Sequence, residues 1–193
     1  MLEGLLVDLV PYGKAYAEQE PVWRNSEAWF WASVGDRPLV SKAAVKRHQE
    51  EREERRERHG WQGVMFGIQS KDGKPLGDMG MNWVVPWHRL AMLGAAIGDE
   101  DYWGGGYGTD ALLLLVDYAF DWLDMRKLWL ATMSPNERVQ RQMVKVGFKL
   151  EARQRETFVA DGQRVDNLIY GLLREEWPGR AAMIEKLGLR AKE

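Results

Sequence analysis

The stretch YWGGGYGT, from Tyr102 to Thr109, joins a strand-like segment to a strongly apolar, helix-like segment. Its glycines allow tight backbone bends and leave main-chain N–H groups accessible, because no Cβ atom covers them. Such a loop, leading into a helix N-terminus, is a favourable place for a phosphate or diphosphate group, since unpaired N–H groups and the helix dipole point toward it. The glycines alone are also compatible with a flexible surface turn, the less favoured interpretation.

Around this loop the sequence alternates between strand and helix patterns. Strands are predicted at Leu5–Val10, Trp61–Gln69, Pro75–Val85, Leu90–Ile97, Leu128–Met133, Phe148–Val159 and Arg164–Leu173. The turn signals Asp72-Gly73 and Asp161-Gly162 predict that the second and third of these strands form one β-hairpin and the last two another. Helices are predicted from after Pro11 through about Glu18, at Ser41–His59, after Thr109, at Glu137–Val146 and after Pro178. The Trp-rich segment Val22–Val34 is a helix or a loop. This order predicts the α+β class, with a mixed, mostly antiparallel central sheet flanked by helices.

Two helices carry terminal signals. Thr109 is a good N-cap candidate for the helix after the glycine loop, and Asp110 suits its first turn. Asn136 would begin the later helix, and Gly147 stands where a left-handed residue ends it.

Length and composition bound the class of protein. The 193 residues predict a single domain, residues 1–177, followed by a short helical tail, residues 178–193. The 27 basic and 29 acidic residues give a formal charge of −2, so no overall basic surface for nucleic acid is expected. The longest apolar run, Ala111–Val116, is far shorter than a membrane span, and the acidic N-terminus argues against a signal peptide. A cytoplasmic location is therefore expected.

Metal and thiol chemistry are disfavoured. The chain has no cysteine, which excludes a disulfide, a thiolate metal site and a cysteine nucleophile. Its three histidines, His48, His59 and His88, lack the spacing of a zinc site.

The glycine loop differs from the two best-known phosphate loops. A P-loop ends in Gly-Lys-Ser/Thr, whereas no lysine precedes Thr109. A dinucleotide-binding loop follows the first strand of a parallel unit and has glycine or alanine where Thr109 stands, and here several strands come first. Both interpretations are disfavoured.

Further motifs follow the loop in a definite order. Ile97-Gly98 precedes it, Asp110-Ala111-Leu112 follows it, and Asn136-Glu137-Arg138 and Lys145-Val146-Gly147-Phe148 come later. Together the motifs of residues 90–177 resemble the GNAT superfamily of N-acetyltransferases. More narrowly, they resemble the branch that contains the ribosomal-protein N-terminal (alanine/serine) acetyltransferases.

The resemblance implies acetyl-CoA as co-substrate. The loop would cradle the diphosphate, with Trp103 standing where the family usually has a polar residue, so that main-chain amides must carry the contact. The preceding strand would pair with the pantetheine arm, Asn136 would hydrogen-bond that arm or simply cap its helix, and Arg141 would approach the phosphates. The implied cofactor-binding residues are Ala95, Ala96, Ile97, Trp103, Gly104, Gly105, Gly106, Tyr107, Gly108, Thr109, Asn136 and Arg141.

The implied reaction is direct transfer of acetyl to a primary amine in a ternary complex. In the family a glutamate early in the strand and a tyrosine in the later helix often move the protons, but Met92 and Met143 occupy these positions. Waters and backbone carbonyls could move the protons in place of these side chains. Otherwise Asp78 and His88 are the nearest candidates for a catalytic group. A histidine titrates near neutral pH, although an exposed turn histidine is the simpler interpretation of His88.

The acceptor is the least determined partner. By analogy it is a protein N-terminal α-amine, and a small amine is the rival. The resemblance also leaves open whether the protein forms a homodimer. Met92 and Met143 suggest an alternative function, a non-catalytic or weakly active acyl-CoA-binding or regulatory module. Residues that could form an aromatic acceptor pocket, or simply core, are Trp23, Asn25, Trp29, Trp83 and Trp87.

Overall fold

The computed structural model describes residues 1–33, 35, 39–59 and 63–191. Its strands are β1 (Leu2–Glu3), β2 (Val7–Pro11), β3 (Val64–Ser70), β4 (Pro75–Val85), β5 (Leu90–Ile97), β6 (Lys127–Met133), β7 (Lys149–Ala160) and β8 (Gln163–Leu173). Its α-helices are α1 (Lys14–Trp23), α2 (Glu27–Ala32), α3 (Lys42–His59), α4 (Tyr107–Asp117), α5 (Glu137–Val146) and α6 (Arg180–Leu187). Parts of three predicted segments, at residues 34, 61–62 and 192–193, lie outside the described residues.

The eight strands form one sheet in the order β1-β2-β3-β4-β5-β6-β8-β7. All neighbouring strands are antiparallel except β5 and β6, which run parallel. The predicted α+β class and the two predicted hairpins, β3–β4 and β7–β8, are therefore confirmed.

The parallel pair β5–β6 is joined along only part of its length. The pairing runs from Leu90 opposite Lys127 to Met92 opposite Trp129 and then stops. Beyond that point residues 93–97 and 130–133 belong to their strands without pairing to each other. The sheet is therefore split at its centre, and the split begins beside Met92.

Helices cover both faces of the sheet. α4 packs on the face that carries Met79, because its long apolar run, including Leu113 and Leu115, is completely buried there. The opposite face is covered by α1 and α2, and the ring of Tyr16 lies where a Cβ on Gly67 would stand. No helix in the described ranges is long and apolar enough to cross a membrane.

The helix after the glycine loop begins earlier than Thr109. α4 starts at Tyr107, and its N-cap is Gly106, whose φ of +90° is left-handed, so the prediction of Thr109 as N-cap is wrong. Asp110 does lie in the first turn, and its fully buried carboxylate accepts hydrogen bonds from the main-chain N–H groups of Leu6 (2.7 Å) and Val7 (3.3 Å).

The predicted C-terminal helix is present as α6. Nη2 of Arg180, its first residue, lies 2.9 Å from Oδ1 of Asp110. Met183 is 1% exposed and belongs to the main core. The segment after Pro178 is thus held on α4 by a buried ion pair and by apolar packing.

Candidate functional site

A cavity of about 460 Å³ occupies the split in the sheet. It is bordered by β4, β5, the glycine loop, α2, α5 and the C-terminal end of α6 with the residues after it. The lining residues are Ala28, Trp31, Ala32, Met79, Ala95, Ala96, Ile97, Tyr102, Trp103, Gly104, Gly106, Gly108, Thr109, Asn136, Arg138, Val139, Arg141, Gln142, Lys145, Leu187 and Leu189.

Most of the residues implied in cofactor binding come together in this cavity. Ten of the twelve line it, although they come from two separate segments of the chain, residues 95–109 and 136–141. Gly105 and Tyr107 do not, and the Tyr107 ring instead packs edge-on against Tyr102, with 4.8 Å between ring centroids. That these residues hold acetyl-CoA stays a prediction.

The glycine loop has a backbone that few other residues could adopt. Gly104 and Gly106 have φ angles of +78° and +90°, in the left-handed region that favours glycine. A Cβ on Gly106 would also come within 3.1 Å of a methyl group of Leu6 and 3.3 Å of one of Leu189. Because the loop leads directly into α4, its N–H groups and the helix dipole favour an anion in the adjacent part of the cleft.

The edge of β5 also presents main-chain groups to the cleft. The N–H of Gly98 donates to the carbonyl of Leu76 (2.8 Å), which sets the alternation of hydrogen bonds between β4 and β5. In an antiparallel pair every second residue points its N–H and C=O away from the partner strand. The N–H groups of Ala95 and Ile97 therefore face the split, while the Ile97 carbonyl accepts a hydrogen bond from the indole N–H of Trp103 (2.8 Å).

α5 begins after Asn136, whose side chain caps the helix and also borders the cleft. Oδ1 of Asn136 accepts from the N–H of Val139 (3.3 Å), which confirms the predicted N-cap. Its side-chain NH₂ group has no hydrogen-bond partner among the residues that the structure describes, and Asn136 borders the cleft. The amide is thus oriented by the cap with its donors toward the cavity.

The face of α5 toward the cavity is cationic. Arg138, Arg141 and Lys145 all line the cleft, at spacings of three and four residues that place them on one side of a helix. Arg141 is paired with Glu137 (2.9 Å), whereas Arg138 stacks on Trp103, its guanidinium carbon 3.9 Å from the ring centroid. Sequence reasoning chose only Arg141, although the same helical spacing could have identified the other two.

The opposite wall of the cleft comes from α2. Ala28, Trp31 and Ala32 line it, and the Trp31 ring packs edge-on on Phe30 at 4.9 Å. None of the five residues considered for an acceptor pocket is in the lining. Trp23 is buried against Gly98, Asn25 bonds the main chain of Val40, Trp29 lies under Arg24, and Trp83 and Trp87 are exposed.

The two catalytic candidates lie outside the lining. His88 is in the short turn Pro86–His88, before β5 and at the closed end of the split, where its ring contacts that of Trp87. Asp78 is on β4, directly opposite Ala96, and shares its face of the sheet. Because Ala96 lines the cleft and paired Cβ atoms lie about 5 Å apart, Asp78 is one side chain removed from the cavity.

Asp78 belongs to a charged cluster between β4, α1 and α3. Burial raises the pKa of Asp78 to about 6, and the negative charge of Glu20 adds to the shift. Burial alone would also raise the pKa of Glu20, but bonds from Gln49 and Tyr12 and the charge of Arg52 hold it below its usual range. Of two neighbouring carboxyl groups, one is therefore firmly ionised and the other titrates near neutral pH.

The two methionines differ in position. Met143 is 2% exposed and forms part of the main core, so it has no access to the cleft. Met92 lies between Trp83 and Trp129 in the sheet, at the point where the split opens.

Within the described part of the chain no group of three or more histidine, aspartate or glutamate residues is arranged to hold a metal ion.

Comparison with known proteins gives this geometry a context. YoaA of Bacillus subtilis, named as an uncharacterized N-acetyltransferase, is 27% identical over 113 residues, which is 58% of this chain and 63% of YoaA. YdaF of the same organism, which carries the name of a ribosomal N-acetyltransferase, is 29% identical over 108 residues, 56% of this chain and 58% of YdaF. The chain therefore matches about three fifths of the length of these relatives.

Solved structures share the fold. Spermidine N-acetyltransferase from Vibrio cholerae, in complex with CoA and spermine, superposes with a TM-score of 0.78 at 17% identity, covering 89% of this chain and 97% of that one. Mycobacterium smegmatis RimJ, in complex with CoA-disulfide, gives a TM-score of 0.77 at 22% identity, covering 96% and 93%. The model of the acetyltransferase (GNAT) domain matches residues 7–149, and the chain belongs to this family.

Proposed function

We propose that the protein transfers the acetyl group of acetyl-CoA directly to a primary amine bound in the same cleft. The observation that carries this proposal is the split between β5 and β6, which opens to both faces of the sheet. Ala95 and Ile97 face the side of α4, and Ala96 faces the side of α2. Two substrates can therefore approach one point from opposite sides.

The cofactor would lie along the strand edge and the loop. The N–H groups of Ala95 and Ile97 offer donors to the pantetheine arm, as an added strand would use them, and Asn136 offers its NH₂ group. The amides around Gly106 would receive the diphosphate. A main-chain donor beside the thioester carbonyl would also stabilise the negative charge that develops there during attack.

The chemistry requires one proton to leave the amine and one to reach the thiolate. The amine nitrogen forms the new C–N bond, the C–S bond breaks, and the CoA sulfur leaves with the electron pair. Asp78 is the proposed proton acceptor through intervening water, because it is ionised above about pH 6 and lies next to the cleft wall. His88, at the closed end of the split, is the second candidate.

The proposed acceptor is a protein N-terminal α-amine rather than a polycationic small amine. The described lining of the cleft contains no aspartate or glutamate, so a polyamine would find no carboxylate partner there. An α-amine has a pKa near 8 and is partly neutral at physiological pH. The wall at Trp31 and Ala32 is apolar, which suits an uncharged N-terminal side chain.

A second candidate function is a non-catalytic or weakly active CoA-binding module. It is favoured by Met92 and Met143, which cannot transfer protons from the positions they hold. In that case the cleft would bind CoA without amine-dependent turnover.

Release of free thiol from acetyl-CoA separates these candidates. The amine panel would contain short peptides beginning with alanine or serine, spermine and an N-acetylated peptide as a blank, and CoA binding would be followed by calorimetry. We expect saturable CoA binding and thiol release with the free peptides but not with the blank. Binding without turnover would establish the module instead, and the absence of binding by folded protein would refute both.

A further inference from the structure

The ring of Trp103 is fixed at the junction of β5 and the glycine loop. Its indole N–H donates to the Ile97 carbonyl at 2.8 Å, so the ring orientation is tied to the strand edge. The residue lines the cleft just before Gly104. A rigid aromatic face is thereby placed beside the amides of the loop.

Arg138 uses this face as a support. Its guanidinium carbon lies 3.9 Å from the ring centroid, well within the range of a cation–π contact. Stacking of this kind engages the flat face of the guanidinium group and leaves the N–H groups on its edge available. Among the described residues Arg138 makes neither an ion pair nor a hydrogen bond, whereas Arg141 is paired with Glu137.

Two sets of donors thus lie near one another in the cleft. The glycines at 104 and 106 supply main-chain N–H groups, and Arg138 supplies a forked cation from α5. A planar fork matches two adjacent phosphate oxygens and forms charge-assisted hydrogen bonds with them. A ligand group with several anionic oxygens would satisfy both sets together.

We propose that Arg138 is a binding residue for the diphosphate of coenzyme A and that Trp103 is the positioning residue that holds it there. This inference rests on the proposed function, because it assumes that CoA occupies the cleft. The Trp103 side chain then contributes to CoA binding by orienting Arg138, and the main-chain amides of the loop contribute separately.

The test measures the affinity of the full chain for three probes by calorimetry and by turnover. CoA carries the diphosphate and a 3′-phosphate, 3′-dephospho-CoA carries only the diphosphate, and acetyl-pantetheine carries neither. For Arg138→Ala we expect CoA and 3′-dephospho-CoA to weaken by a similar factor, about tenfold to hundredfold. Turnover of acetyl-pantetheine should stay unchanged.

The role of the stack is tested with Arg138→Lys, Trp103→Leu and the double variant Trp103→Leu/Arg138→Ala. Lysine keeps the positive charge but lacks the planar fork of arginine. We therefore expect Arg138→Lys to lower the logarithm of the CoA affinity by at least about half as much as Arg138→Ala does. The double variant should lose no more affinity than Arg138→Ala alone, because the two residues act as one unit. Arg164→Ala, which removes an exposed arginine of the β7–β8 hairpin, is the matched control and should bind normally.

Several results would overturn the proposal. If 3′-dephospho-CoA is insensitive to Arg138→Ala while CoA is weakened, the arginine binds the 3′-phosphate instead. If the double variant is additive, Trp103 does not position Arg138. If the parent protein binds CoA and Arg138→Ala binds equally well, the assignment is wrong although the proposed function stands, whereas a parent that fails to bind CoA refutes the proposed function itself.

Discussion

The two sides of the cleft are built from different parts of the chain and from different kinds of group. The proposed cofactor side uses two short segments, residues 95–109 and 136–145, and much of it is main chain. The proposed acceptor side is formed by side chains of α2, with the Asp78 cluster behind the wall. A main-chain site depends on backbone shape, whereas a side-chain site depends on which residues happen to face it. We therefore expect the two sides to respond differently to substitution.

The largest effect should come from changing the backbone of the cofactor side. Gly106→Val places a β-branched residue at a φ of +90° and brings its Cβ against Leu6 and Leu189. We expect CoA affinity to fall by about a hundredfold, because the loop must shift and its amides move with it. Calorimetry with CoA measures this, and circular dichroism checks that the sheet is retained.

Gly73→Val is the matched control for that substitution. Gly73 has a φ of +89° and no atom within 4 Å of the added Cβ, and it lies in the β3–β4 turn away from the cleft. It should show a similar backbone strain with unchanged CoA affinity. If both variants lost CoA binding equally, the loop would not be the diphosphate site.

The next effect concerns the charged cluster on the acceptor side. Burial raises the pKa of Asp78 to about 6, so the folded state binds this proton more tightly than the unfolded state. The stability associated with that proton is fully present below about pH 4 and is lost as the pH rises through 6. At pH 8, Asp78→Asn should therefore raise the free energy of unfolding by on the order of 2 kcal/mol, with no gain below pH 4.

Urea denaturation at both pH values measures this difference. Asp124→Asn, at an exposed carboxylate paired with Arg89, should change stability by less than about 0.5 kcal/mol at either pH. If Asp78 also accepts the amine proton, the stabilised variant should lose turnover, and the rise of kcat/KM near pH 6 should disappear. Unchanged turnover would remove Asp78 from the mechanism.

The smallest effect should be confined to the acceptor. Trp31→Ala removes an aromatic wall from the α2 side of the cleft. We expect the KM for a peptide amine to rise severalfold, about 1 kcal/mol of binding, while CoA affinity stays the same. Trp87→Ala, which alters an 81% exposed ring outside the cleft, should change neither quantity. A rise in CoA dissociation without a change in amine KM would place α2 on the cofactor side.

Much of the fold was predictable because its signals are local. The two Asp-Gly turns produced the expected hairpins, and α5 spans Glu137–Val146 as predicted, ended by Gly147 with a φ of +107°. The start of α4 was misjudged because Gly106 caps it through a left-handed backbone, which makes a side-chain cap at Thr109 unnecessary. The sequence shows that residue 106 is glycine, but it does not show whether that glycine takes the left-handed conformation that starts the helix.

Three of the missed lining residues share one cause. Trp31, Leu187 and Leu189 reach the cleft from α2 and from the end of α6, segments far in sequence from the glycine loop. Their patterns are those of ordinary apolar helices, which bury one face wherever the fold provides a partner. The five residues considered for an acceptor pocket were chosen by type and not by position, and packing placed them elsewhere.

The amino-acid sequence by itself determined the elements that depend on neighbouring residues: the glycine bend, the hairpin turns, the caps of α5 and the family to which these motifs belong. Only the tertiary structure decided that β5 and β6 separate after Met92, that Arg138 lies on Trp103, and that Asp78 faces Glu20. The physical reason is the range of the interactions, since turns and caps form within a few residues, whereas stacking, desolvation and strand separation require groups that only the folded chain brings together.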